Sequence, residues 1–277
     1  MPSPTDVAGL NKTKLHLGDF AQRFHRDATA FGPVFSYYAA AVPFSAEEVR
    51  DFVEEPVLAL PHRILTGLGK IVILFVPFLE RPTPAAPPAG NGKRAAAEKA
   101  PDFDPRETLV VMDPPAPANR IPVAYLAPAN PDEPHIFAFG VQDVDSSDYH
   151  YNFFHSIARL VFYTQPDAVL AGYRLLLRDE LKNRVHGEVD DASWKAKLDL
   201  LKKESGIRGE SKLFVEYAAA SYIDTMTLYL HGICCDIDVE PGPRQIASRH
   251  LRKRLQFLQS NFPQPEGYAV FPEELKN

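Results

Sequence analysis

The sequence predicts an α+β protein: a small sheet, a Pro-rich insertion and a C-terminal bundle of helices. Three observations lead there. Short apolar stretches of strand character occupy the chain up to residue 140. From residue 148 onward apolar residues recur at the spacing of amphipathic helices. Between the strand candidates lies one segment, 81–106 (RPTPAAPPAGNGKRAAAEKAPDFDPR), dominated by Pro, Ala, Gly and charge. Such a stretch has little apolar surface to offset its ordering entropy. Strands followed by a run of helices is the α+β pattern.

The elements follow in order. Leu17, Phe20, Phe24 and Ala28 share a helical face. Ser45 and Glu48 form a capping box ahead of Val49 and Phe52. The most apolar run, Ile71 to Leu79 (IVILFVPFL), is a buried strand that ends or meets a sheet edge near Pro77. It is well short of the roughly 20 residues that span a bilayer. Thr108–Met112, Pro122–Leu126 and His135–Gly140 are further strands. Amphipathic helices follow near 149–163, 167–185, 192–204, 211–231 and 244–260. Tyr268, Val270 and Phe271 give the terminal segment a surface with which to pack back onto the body.

Of the chain's 26 prolines, 13 fall between residues 81 and 134. The segment 81–106 reads either as an insertion within one sheet or as a linker. Residues 1–80 offer too little chain for a comfortable core of their own, which favours the insertion. On that reading 1–80 and 107–277 build a single domain.

Thirty basic against 36 acidic residues give a net charge of −6, which disfavours a globally basic nucleic-acid binder. Two cysteines exclude a disulfide-rich scaffold and any site of four thiolates. The N-terminus lacks an apolar signal region, so the expected location is the cytoplasm, with reduced thiols and no membrane association. No phosphate-loop, dinucleotide or nucleophile-elbow motif occurs.

The strand HIFAFG, an aspartate-rich turn and the helix YHYNFFHSIARLVFY carry the chemistry of interest. His155 and Arg159 are four apart, on one helix face with Tyr151 a turn earlier. This stretch resembles the active-site region of zincin metallopeptidases, whose H-E-x-x-H helix holds zinc. Here it reads His155-Ser156-Ile157-Ala158-Arg159: only the first His matches, and the base and second ligand are replaced. The helix SKLFVEYAAASYIDTMTLYLH resembles the downstream helix of Glu-type zincins, with Glu216 at the position of the carboxylate ligand, sixty-one residues after His155. The resemblance spans about residues 135–231 and implies His155 and Glu216 as the residual metal ligands.

The second helix is apolar around much of its circumference and is expected to be buried. Glu216 and Asp224 lie within about 80° on the helical wheel, with Thr227 and His231 near the same stripe. A buried carboxylate must be paired, coordinated or neutralised. Arg159 is the expected partner, its guanidinium filling the place of zinc opposite Glu216. Asp143, Asp145, Asp148 and His150 offer substitute ligands, or simply the acidic start of a helix.

Three other clusters have plainer readings. His231, Cys234, Cys235, Asp236 and Asp238 (HGICCDID) suggest zinc, but adjacent cysteines make poor joint ligands and no second C-x-x-C exists. Gly232 as a helix end, with two buried thiols, accounts for the pattern. Arg244, Arg249, Arg252, Lys253 and Arg254 form the densest basic stretch and read as the solvated face of a packed helix. The acids of EVDDASW reduce to Asp190 or Asp191 capping the Trp194 helix.

The resulting expectation is a non-catalytic, zincin-like scaffold, adaptor or regulatory protein with another protein as partner and no cofactor. One alternative is a zinc-dependent hydrolase with an atypical site at His155 and Glu216. The other is a nucleic-acid-associated protein using 244–254.

Overall fold

A computed structural model describes residues 14–82, 103–202, 210–235 and 244–271. The stretch 83–102, most of the Pro-rich segment, lies outside the described residues, as do Asp236 and Asp238. The fold is α+β, and the chain divides into two compact units: Met1–Val49 with Gly69–Asp145, and Arg50–Leu68 with Ser146–Asn277.

The first unit holds β1 (Leu15–His16), α1 (Leu17–Phe24), β2 (Thr29–Phe31), β3 (Phe35–Tyr38), α2 (Ala46–Val49), β4 (Ile71–Val76), β5 (Phe78–Glu80), β6 (Leu109–Val111), β7 (Arg120–Ile121), β8 (Val123–Leu126) and β9 (His135–Gly140). They form two sheets, one ordered β1-β6-β5-β7 and one ordered β2-β3-β4-β9-β8. In the larger sheet β3, β4 and β9 run parallel, while β2 and β8 are antiparallel to their neighbours. Every residue of β4 is buried, which explains why IVILFV is an unbroken apolar run: parallel strands are covered on both faces. Pro77 does end β4, but the strand runs through the middle of its sheet and not at an edge. The chain resumes after Pro77 as β5 of the smaller sheet.

Leu17, Phe20 and Phe24 of α1 share one apolar cluster with Val72, Leu74 and Val76, the alternate residues of β4. Burying each such side chain contributes about 1.5–3 kcal/mol. The Ser45–Glu48 capping box forms as the spacing predicts: Glu48 N–H donates to Ser45 Oγ at 3.2 Å, and Ser45 N–H donates to Glu48 at 2.7 Å. The single strand expected over Ile71 to Leu79 is thus two, and the strands the sequence did not reveal, β1, β2, β3 and β7, are two to four residues long. Runs that short carry no readable period.

The second unit is helical: α3 (Glu55–Leu58), α4 (His62–Gly67), α5 (Ser146–Thr164), α6 (Asp167–Lys182), α7 (Asp191–Leu201), α8 (Lys212–Cys234) and α9 (Ser248–Asn261). The five long helices fall where the periodicity predicts them. A π-helical turn, Arg50–Glu54, precedes α3. Pro56 has no amide hydrogen to return to that turn, so the Asp51 carbonyl cannot receive the i+5 bond of a π-helix. Ser211 caps α8, accepting from Phe214 N–H at 3.2 Å. Asp190, and not Asp191, is the N-cap of α7 and completes a capping box with Ser193. Gly232 does not end α8: buried Leu230 and Ile233 continue its apolar face, and the cap is Cys235. Val270 and Phe271 are buried, and the Arg252 guanidinium lies 4.4 Å from the Phe271 ring centroid. Among the described residues, no helix is long and apolar enough to cross a membrane.

Candidate functional site

Helices α5 and α8 run antiparallel. His150 meets Cys235, Phe154 meets His231, His155 meets Thr227 and Phe162 meets Tyr222. This register decides the fate of the zincin-like residues. The level of α5 that would face Glu216 lies past the helix end at Thr164, roughly 12 Å of rise beyond Arg159.

The expected Arg159–Glu216 pair does not form. Glu216 is exposed and lies 3.9 Å from Lys212, one turn back on its own helix. Arg159 is also exposed. The two helices are neighbours as anticipated, but the axial offset puts the acid out of reach of the cation. The same offset keeps His155 and Glu216 apart as metal ligands. The half-buried His155 imidazole instead stacks beside Tyr151 and sits 3.4 Å from Thr227 Oγ1. Burial lowers its pKa, and the nearby Arg159 charge lowers it further.

Asp224 is buried, as its place on α8 requires, and is satisfied by a backbone group. Its Oδ2 accepts from Ser193 N–H at 2.9 Å, inside the first turn of α7. Tyr151 donates to Asp190, the cap of that same helix. Burial raises the Asp224 pKa to about 6, against the opposing hydrogen bonds from Ser193. A raised folded-state pKa gives stability that is complete below the unfolded value near 3.9 and is lost as pH rises through 6. Asp224→Asn keeps the acceptor and removes the charge. Its urea midpoint is expected to fall less between pH 4 and 7 than that of the parent. Parallel pH profiles for the two proteins would count against this origin of the shift.

The sequence reading missed a buried charge network. Arg254 is 0% exposed, contrary to the solvated face expected for the basic stretch. Its guanidinium bridges Glu180 at 2.5 Å and Glu188 at 2.6 Å and donates to Ser221 Oγ at 2.9 Å. Lys197, also buried, lies 3.1 Å from Glu188 and donates to the Gly187 carbonyl at 2.8 Å. Tyr217 donates to Glu188 at 2.5 Å. Two carboxylates and two cations thus neutralise one another while joining α6, α7, α8 and α9. Burial acts to raise the Glu188 pKa, but Arg254 and Lys197 outweigh it and hold the carboxyl below its ordinary value. Elsewhere on the basic stretch, Arg244 lies 3.1 Å from Asp191.

A second cluster was only half visible. His150 belongs to α5 and is 4% exposed, so it is no part of a solvated acidic cap. Its Nδ1 lies 3.2 Å from Cys235 Sγ, and its Nε2 donates to the Asp51 carbonyl at 2.7 Å. Donor atoms of His150, Cys234 and Cys235 all lie within 4.8 Å of one another. The Cys235 pKa is lowered to about 3, first by hydrogen bonding from Cys234, with His150 and His231 assisting against burial. That of Cys234 is raised by the Cys235 thiolate and by burial. His150 is raised: burial pulls it down, but Cys235 and the Asp51 carbonyl outweigh that. The adjacent cysteines alone gave no sign of this histidine, 84 residues away in sequence from the nearer of them. Only the antiparallel register supplies it.

No protein-family model, curated protein or solved structure matches the chain.

Proposed function

We propose that this chain is non-catalytic and works by binding, as a scaffold, adaptor or regulatory partner of another protein, on a degenerate zincin-like framework. One observation carries the reading: the imidazole and carboxylate that a zincin-type hydrolase would use are held apart, His155 against Thr227 and Glu216 in solvent beside Lys212. Hydrolysis by such a centre needs three ligands converging on one open metal position. The chain order of strand HIFAFG followed by α5, and the antiparallel partner helix α8, support the framework. The buried charges support a structural interior, since the carboxylates of the network are matched by cations within it.

The nucleic-acid alternative has less behind it. Arg254 is consumed by the interior, Arg244 lies against Asp191 and Arg252 against Phe271.

Two measurements test the proposal. Metal content of protein purified without a His tag is expected to be the same in the parent, His155→Ala and Glu216→Ala. Both substitutions alter partly or fully exposed side chains, so stability is expected to change by no more than about 0.5 kcal/mol for Glu216→Ala. Stoichiometric metal lost in both variants would establish the hydrolase alternative instead. In extract from the cells that make it, the chain is expected to elute in a complex heavier than the free protein. Elution only as the free chain would overturn the binding role.

A further inference from the structure

We infer that His150, Cys234 and Cys235 form a binding site for a soft divalent transition metal, of which zinc is the type. The inference is independent of the proposed binding role, because none of these three residues belongs to the zincin-like pair His155 and Glu216.

The site is assembled from three separate parts of the helical unit, two of which supply the donors. Cys234 is the last residue of α8 and Cys235 its extended cap, so the backbone turns between them and lets both sulfurs reach one point. His150 arrives from α5 through the antiparallel register. The third part, the π-helical turn, sets the tautomer. With Pro56 unable to donate, the Asp51 carbonyl is available to accept the His150 Nε2–H. The other ring nitrogen, Nδ1, therefore faces the thiols. A ligating histidine whose second nitrogen is fixed by a backbone carbonyl is the usual outer-shell arrangement of protein metal sites.

Size and charge fit as well. Metal–sulfur bonds of about 2.3 Å and metal–nitrogen bonds of about 2.1 Å put tetrahedral donors roughly 3.5–3.8 Å apart. The present separations, all within 4.8 Å, need only small side-chain rotations to meet that. Two thiolates and a neutral imidazole around a dication sum to zero, which suits a site containing a nearly buried histidine. On binding, the Cys234 thiol and the His150–Cys235 pair each release one proton, and no electron moves. Thiolate and imidazole donors select zinc-class ions over calcium or magnesium. His231 stands next to this cluster with its Nε2 buried and lacking a hydrogen-bond partner among the described residues, but it is not one of the donors that lie within 4.8 Å of one another. The two thiols are free cysteines and not a disulfide.

The test uses the full chain without a His tag, stripped by chelator and titrated with Co²⁺ and then Zn²⁺. One equivalent of Co²⁺ is expected to produce visible tetrahedral bands and a near-ultraviolet thiolate charge-transfer band. Zn²⁺ is expected to bleach both. Cys234→Ser with Cys235→Ser, and separately His150→Gln, are expected to lose stoichiometric binding at least tenfold, while His155→Ala retains it. Because a variant could fail to fold, the parent provides a second readout: Zn²⁺ is expected to protect both thiols from alkylation, mapped by peptide mass. Absence of stoichiometric binding, a metal spectrum unchanged in the double cysteine variant, unprotected thiols in the zinc-loaded parent, or a Cys234–Cys235 disulfide in protein from reduced cells would each overturn the inference.

Discussion

Arg254→Ala is expected to destabilise the protein by about 3–5 kcal/mol, measured by urea denaturation of the full chain at pH 7. The substitution removes the only guanidinium among the described residues that reaches both Glu180 and Glu188, each of which is nearly or fully buried. Lys197 remains against Glu188, but Glu180 is left without its Arg254 bonds. Most of the cost is this unpaired carboxylate, not the lost attraction: charges taken from water repay their desolvation only when the geometry is complete. Arg254→Met with Glu180→Gln should therefore recover part of the loss, since fewer charges are stranded. If Arg254→Ala alone costs less than about 1 kcal/mol, water reaches the network and its burial has been misjudged. The same network predicts acid sensitivity. Glu188 has a lowered folded-state pKa, so its contribution is present above the unfolded value near 4.3 and is lost as pH falls through the lower, folded one.

The second large effect is expected from Gly187→Ala, at about 3 kcal/mol or more in the same assay. Gly187 has φ of +83°, in the left-handed region that costs other residues dearly. A Cβ there would also lie 2.3 Å from the Gln245 carbonyl oxygen, a backbone atom that cannot rotate away. The clash matters beyond its own strain. Glu188 N–H donates to the Arg244 carbonyl at 2.8 Å and Ile246 N–H donates to the Glu188 carbonyl at 3.1 Å, so this contact is the bridge that seats Glu188 beneath Arg254. Prying the two segments apart moves the carboxylate off its partners. The double variant with Arg254→Ala is accordingly expected to be clearly less destabilised than the sum of the two singles. Strict additivity would separate the glycine from the network and sink this account.

Legibility in the sequence followed locality. The capping box at Ser45 and Glu48, a cap at Asp190 or Asp191, an apolar strand interrupted near Pro77 and the five long helices were all readable, because each depends on residues within a turn or two of one another. The expected pairing of Arg159 with Glu216 failed at the next level. A helical wheel places Glu216, Asp224 and Thr227 near one stripe, but it says nothing about the axial register against α5, and that register left Glu216 in solvent. Arg254 failed for a related reason. Within RQIASRHLRKRL it is one cation among several, and nothing local marks it as the one facing Glu180 and Glu188.

The sequence by itself determined the five long helices, the apolar strands at 71–76, 109–111, 123–126 and 135–140, and the caps built from neighbouring residues. Tertiary structure alone decided which polar groups meet. His150 finds Cys234 and Cys235, Arg254 finds two acids, and Asp224 finds an amide at the start of α7. The physical reason is range: backbone hydrogen bonds and hydrophobic period act over a few residues, whereas the pairing of buried charges and ligands depends on helix register, which the whole packed core sets at once.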